Sequence, residues 1–180
     1  LLDNIDTTKQ NYYLSLRRQE LDADPSRVNI IPDDIGYMPI MSDQQYTLQE
    51  RWRYNRYYRK RNSAQYTSIL RRIFIREFDR CYWGAKFDYV IQFDGYGVNM
   101  PLLFLEAPCP KTIFVHNDMV QELKTKRNQH KNVLRNAYQK YDNVAVVSPD
   151  LIAPTTEVGA PKEKIVVINN IHDLNTIRQK

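Results

Sequence analysis

Apolar and polar positions along this chain switch between two spacings, and the switches mark out a succession of short strands and helices. The clearest strand signal is Ile113-Phe114-Val115, an unbroken apolar run that passes abruptly into His116-Asn117-Asp118. A strand with one wet face would alternate polar with apolar, so this run predicts a strand buried on both sides. Phe87 to Phe93, Val144 to Val147 and Ile165 to Ile168 have the same character, and they end at Asp94-Gly95-Tyr96-Gly97, Ser148-Pro149-Asp150 and Asn169-Asn170. Tyr12 to Leu16 and Ile35 to Met41 predict two further short strands, the second bounded by Pro32 and Pro39, with Arg17 to Ile31 between them as a loop or short helix.

Helical spacing fills the gaps between the strands. The longest helical signal opens at Thr47, a good N-cap with Glu50 three positions on, and is carried by Tyr66, Ile69, Leu70, Ile73, Phe74, Phe78 and Cys81. Its first half has a poorer apolar stripe and is expected to project from the body or lie on its surface, with Asn62-Ser63 separating the halves. Pro101 to Ala107 predicts a short helix stopped by Pro108 and Pro110. Met119 to Tyr141 predicts one long amphipathic helix, with Leu123, Val133, Leu134, Ala137, Tyr138 and Tyr141 inward and His130 facing solvent. Strands and helices alternating with short connections predict a doubly wound α/β domain on a mainly parallel sheet. In such a sheet ligands gather at the carboxyl ends of the strands, where the connections form a crevice.

Composition bounds the class. At 180 residues, 42% hydrophobic and 26% charged, the chain suits one folded domain. No apolar run approaches the roughly 20 residues a membrane-spanning helix needs, and no secretory pattern is present, so a cytoplasmic location is expected. Two cysteines, Cys81 and Cys109, without zinc-ligand spacing of His and Cys, predict no metal site. The chain also lacks a phosphate-binding loop of the Walker type, a Gly-x-Ser-x-Gly elbow and a His-Glu-x-x-His helix, the minimum parts of several enzyme classes.

Charge changes the picture more than composition does. Between Thr47 and Trp83 ten Arg and Lys face three Asp and Glu, a local +7 that leaves the remainder at −2 against a total of +5. Within it, Arg51, Trp52, Arg53, Arg56, Arg59, Lys60 and Arg61 interleave cations with aromatics, a pattern for contact with an anionic partner or membrane surface. The alternative is a solvated helix face whose aromatics pack on the body.

The strand ends hold the candidate chemistry. His116 at the end of its strand can orient a hydroxyl or stabilise phosphate charge, and Asp118 can fix its tautomer; equally, Asn117 or Asp118 can cap the following helix. Asp94, Gly95 and Tyr96 can line the same crevice or form a plain glycine turn, and Ser148 can be a crevice residue or a cap.

Taken in order, Phe87 to Tyr96, Lys111 to Met119, Tyr141 to Ser148 and Ile165 to Asn170 with Asp173 resemble the acceptor-side, Rossmann-like domain of GT-B glycosyltransferases. The likeness is greatest to those found in Gram-positive bacteria alongside CDP-glycerol glycerophosphotransferases of teichoic acid synthesis. It implies a sugar transfer from a nucleotide-sugar to a polyanionic or lipid-linked cell-envelope acceptor, at the inner face of the plasma membrane. On that resemblance His116 is the cleft histidine, Asn117, Asp118 and Ser148 belong to the acceptor cleft, and Asn169 marks the crossing to a donor-binding domain. The acceptor domain would span 1–170 and 171–180 would begin the linker. The donor's phosphate-binding loop and Glu-x7-Glu motif, and the opening strand with its glycine-rich turn, would lie outside this sequence, so the fragment alone is expected to be inactive and to hold no cofactor. A metal-independent, retaining transfer is implied. The rival expectation is a non-catalytic anion-binding module on the same kind of sheet, in which Arg and Tyr contact nucleic acid or a membrane; it leaves the strand-end residues without a role, and nucleic acid is not the expected partner.

Overall fold

The computed structural model describes residues 6–16, 24–38, 45–60, 66–93, 98–126 and 130–170. The strands are β1 (Tyr13–Leu14), β2 (Gly36–Tyr37), β3 (Val90–Gln92), β4 (Lys111–Val115), β5 (Asn143–Val146) and β6 (Ile165–Val167). The α-helices are α1 (Leu48–Lys60), α2 (Ser68–Cys81), α3 (Asn99–Leu105), α4 (Met119–Thr125), α5 (Lys131–Lys140) and α6 (Ile152–Val158). β1 and β2 form a small parallel pair, and β3-β4-β5-β6 form a second, wholly parallel sheet in that order. The fold is α/β and fits a Rossmann-like arrangement.

Register sorts the side chains of the larger sheet. Gln92 sits beside Ile113, and Ile113 beside Val144, so Val90, Ile113, Val115, Val144 and Val146 share one face. These five belong to the core with Leu102, Leu103, Leu134, Ala137 and Tyr138 from the helices. Ile91, Phe93, Thr112, Phe114, His116, Ala145 and Val166 fall on the other face by the same register. There Ile91 is 56% exposed and Phe93 48%. Among the described residues the helical core therefore builds on one face only.

The helical pattern is realised with two corrections. Met119 to Tyr141 is not one helix but two, α4 and α5, with Lys126 in an extended conformation at the end of the first. His130, expected to face solvent, is the N-cap of α5 and is buried to 1% exposure against the Tyr58 ring, at 4.7 Å between centroids. The break explains it: an unbroken helix would have left residue 130 among Lys and Asn on a wet face, whereas the interruption turns its ring towards α1. Residues 152–158, which carry no strong sequence signal, add α6, closed by Gly159 at φ +127°, a conformation few other residues adopt without strain.

Local chemistry explains the segment boundaries. Thr47 Oγ1 accepts from Glu50 N at 3.3 Å while Glu50 Oε2 accepts from Thr47 N at 2.9 Å, the reciprocal capping box predicted for the start of α1. Lys164 Nζ donates to the carbonyls of Gln139 and Tyr141 at 2.7 and 2.9 Å, satisfying the C-terminus of α5 and fixing the approach to β6.

Candidate functional site

Because β3 to β6 are all parallel, their carboxyl ends line one edge, and that edge gathers Phe93, His116, Asn117, Asp118, Ser148 and Asn169. The half-buried His116 is the best-held polar side chain there. Its Nε2 lies 2.8 Å from the Phe93 carbonyl oxygen, a contact that spans β3 and β4. Its ring meets Phe93 edge-on at 4.6 Å and runs nearly parallel to Phe114 at 5.8 Å, with Phe93 and Phe114 themselves 5.1 Å apart. Register makes this cluster: residues 114 and 116 share a face, and 93 extends β3 beside 114.

The neighbours of His116 serve the backbone. Asp118 is the N-cap of α4, its Oδ1 accepting from Val120 N at 2.9 Å and Gln121 N at 3.1 Å, so the capping alternative describes its hydrogen bonds and the imidazole is paired with Phe93 instead. Exposed Asn117 donates from Nδ2 to Glu122 Oε1 at 3.4 Å. Ser148 likewise caps a turn of 3-10 helix, Oγ accepting from Asp150 N at 3.3 Å. Asn169 is exposed just past β6. Asp94, Gly95 and Tyr96 lie outside the described residues.

The basic segment resolves into two helices of different electrostatic character. In α2 three of the four arginines are met by carboxylates: Arg71 by Glu106 at 3.1 Å, Arg76 by Glu50 at 2.8 Å and Glu77 at 3.0 Å, Arg80 by Glu77 at 2.6 Å, while Arg72 is exposed. Glu77 is fully buried and also accepts from Gln45 N at 2.8 Å, so its charge is compensated on both oxygens. In α1 Tyr54 and Tyr57 turn inward, Tyr54 against Phe74 and Tyr57 against Tyr66, while Tyr58 stays partly exposed over the His130 ring. Arg51, Arg53, Arg56 and Arg59 are exposed, and none forms an ion pair among the described residues. Exposed Trp52 stays out with them, with Arg56 over its ring at 5.5 Å. The segment thus lies on the body with its tyrosines packed and its cations free. Arg61 lies outside the described residues, and Lys60 closes the helix backbone.

Sequence reasoning missed what ties α1 to the strand-end edge. Tyr54 donates its hydroxyl to Asn99 Oδ1, and Asn99 opens α3 directly after the chain leaves β3. Tyr58 packs on His130, which opens α5, and α5 runs back towards the start of β5. Asn99 thus follows the carboxyl end of β3, whereas His130 opens a helix that follows α4. Burial raises the hydroxyl pKa of Tyr57 to about 12 and that of Tyr54 further, so α1 is held by neutral phenols throughout the physiological range. Among the described residues no group of three or more His, Cys, Asp or Glu could hold a metal ion, and no helix is long and apolar enough to cross a membrane.

No protein-family model matches the chain, and no curated protein matches its sequence.

Proposed function

We propose that this chain is the acceptor-side domain of a GT-B glycosyltransferase, serving transfer of a sugar from a nucleotide-sugar to a polyanionic cell-envelope acceptor of the teichoic-acid type. The observation that carries the reading is the carboxyl edge of the parallel sheet, where His116 is tied to the end of β3 and the ends of β5 and β6 bring Ser148 and Asn169 to the same side. The cations of α1, anchored through Tyr54 to the helix that follows β3, support a long anionic acceptor approaching there. On this reading the sheet belongs to a doubly wound arrangement whose second helical layer rests on Ile91 and leaves Phe93, at the strand end, open to the acceptor. The domain supplies positioning and charge stabilisation; His116 orients the acceptor hydroxyl and the α1 arginines hold its phosphates.

The test is titration of the isotopically labelled chain with poly(glycerol phosphate) at low salt, followed by NMR. Perturbation of both the His116 ring and the α1 arginines is expected, weakening as salt is raised towards physiological. Perturbation of α1 alone would favour the anion-binding module, and no binding at low salt would remove the acceptor reading.

A further inference from the structure

Phe93 does two things at once, and together they assign a role to each nitrogen of His116. Its carbonyl oxygen is an acceptor only, so at 2.8 Å the Nε2 of His116 must be the donor, and a neutral imidazole then carries its single proton on Nε2. Its ring, 4.6 Å from the imidazole and set against Phe114, restricts rotation that would exchange the two nitrogens. Nδ1 makes no hydrogen bond among the described residues, so its lone pair is the open one. Beside it lies the half-exposed Phe93 ring, an apolar surface at a strand end that the helical core does not cover.

We infer that Phe93 is a positioning residue that locks His116 in the Nε2–H tautomer, and that the pair forms a subsite for a polyol or sugar, a hydroxyl donating to Nδ1 while C–H groups rest on the Phe93 ring. The ligand class follows from the chemistry of the two surfaces: an acceptor nitrogen next to a wide apolar ring suits a molecule that is hydroxylated on one side and carbon-lined on the other. This deepens the acceptor reading and rests on it for the ligand, but the tautomer does not depend on any ligand.

The tautomer is read from long-range proton–nitrogen correlation spectra of the whole chain labelled at histidine, with His116→Gln assigning the signals. For neutral His116 the expected result is a protonated Nε2 and an unprotonated Nδ1. Phe93→Leu should keep that tautomer while weakening binding of methyl glucoside and of glycerol several-fold, and Phe93→Gly should yield a mixture of tautomers. A protonated Nδ1, or an even mixture in the unsubstituted chain, overturns the assignment whatever the polymer titration gives. Addition of methyl glucoside or glycerol should move the Nδ1 signal more than the Nε2 signal; binding that moves neither, or that is the same in Phe93→Leu, overturns the subsite. Poly(glycerol phosphate) binding lost with the tautomer intact would instead sink only the acceptor reading.

Discussion

The two faces of the β3-β6 sheet are built from similar side chains and meet opposite surroundings. On one, Ile113, Val115, Val144 and Val146 are sealed beneath α3, α5 and their neighbours; on the other, Ile91, Phe93 and Val166 keep a third or more of their surface open. What differs is not hydrophobicity but which connections return on each side. Burial on the helical face is what holds the domain together, since apolar area removed from water contributes about 25 cal/mol per Å². The open face contributes less to folding, and it is the one that presents Phe93, Phe114 and His116 at the carboxyl edge.

The strongest way to test that contrast is truncation on the sealed face. Ile113 has no exposed surface, so Ile113→Ala should cost about 3 kcal/mol through lost transfer free energy and the cavity left behind, seen as a drop in the urea midpoint. A loss below about 1 kcal/mol would mean that the helices do not seal that face.

Alkali should act on the same side. Burial lifts the Tyr82 hydroxyl to about 12 from its ordinary 10, and a folded state that holds the neutral phenol is stabilised fully below pH 10. As pH rises past 10 the unfolded chain ionises first, and this contribution is lost progressively up to about pH 12, roughly 2 kcal/mol for this one group. Chemical denaturation at pH 8, 10 and 11 should show that fall on top of the one from the other buried phenols, Tyr46, Tyr54, Tyr57, Tyr66 and Tyr141, and Tyr82→Phe should make it shallower without abolishing it.

On the open face the expectation is small. Ile91→Thr should change stability by no more than about 0.5 kcal/mol, because the side chain is already mostly wet. A loss several times larger would show that a second layer already rests on Ile91 in this chain. Smallest of all should be the effect on folding of Arg56→Glu with Arg59→Glu, as neither forms an ion pair among the described residues and Arg56 rests only over the exposed Trp52 ring. The same double variant should abolish poly(glycerol phosphate) binding at low salt, so thermal melting and binding separate structure from function.

Much of the architecture was legible before any coordinates. The apolar runs at 113–115, 144–147 and 165–168 become strands within a residue or two, and the Thr47–Glu50 capping box forms as written. Less legible were the points where local and tertiary preferences compete. The polar run around 127–130 looks tolerable within a helix, yet one helix ends at Thr125 and another opens at Lys131, and His130 is buried against a tyrosine 72 positions earlier. No local pattern encodes that contact.

For the site the division is similar. Sequence by itself determined that polar residues follow each parallel strand, that the charge concentrates in 47–83, and that α1 must carry more cations than its own carboxylates can match. All three follow from composition and period, which are local properties. Only the tertiary structure decided that Arg71, Arg76 and Arg80 of α2 are met by Glu50, Glu77 and Glu106 while the α1 arginines form no ion pair among the described residues, and that His116 is held by the carbonyl of Phe93. Each of these depends on side chains or backbone groups brought together from different elements, and a backbone carbonyl in particular carries no mark in the amino-acid sequence of which imidazole it will meet.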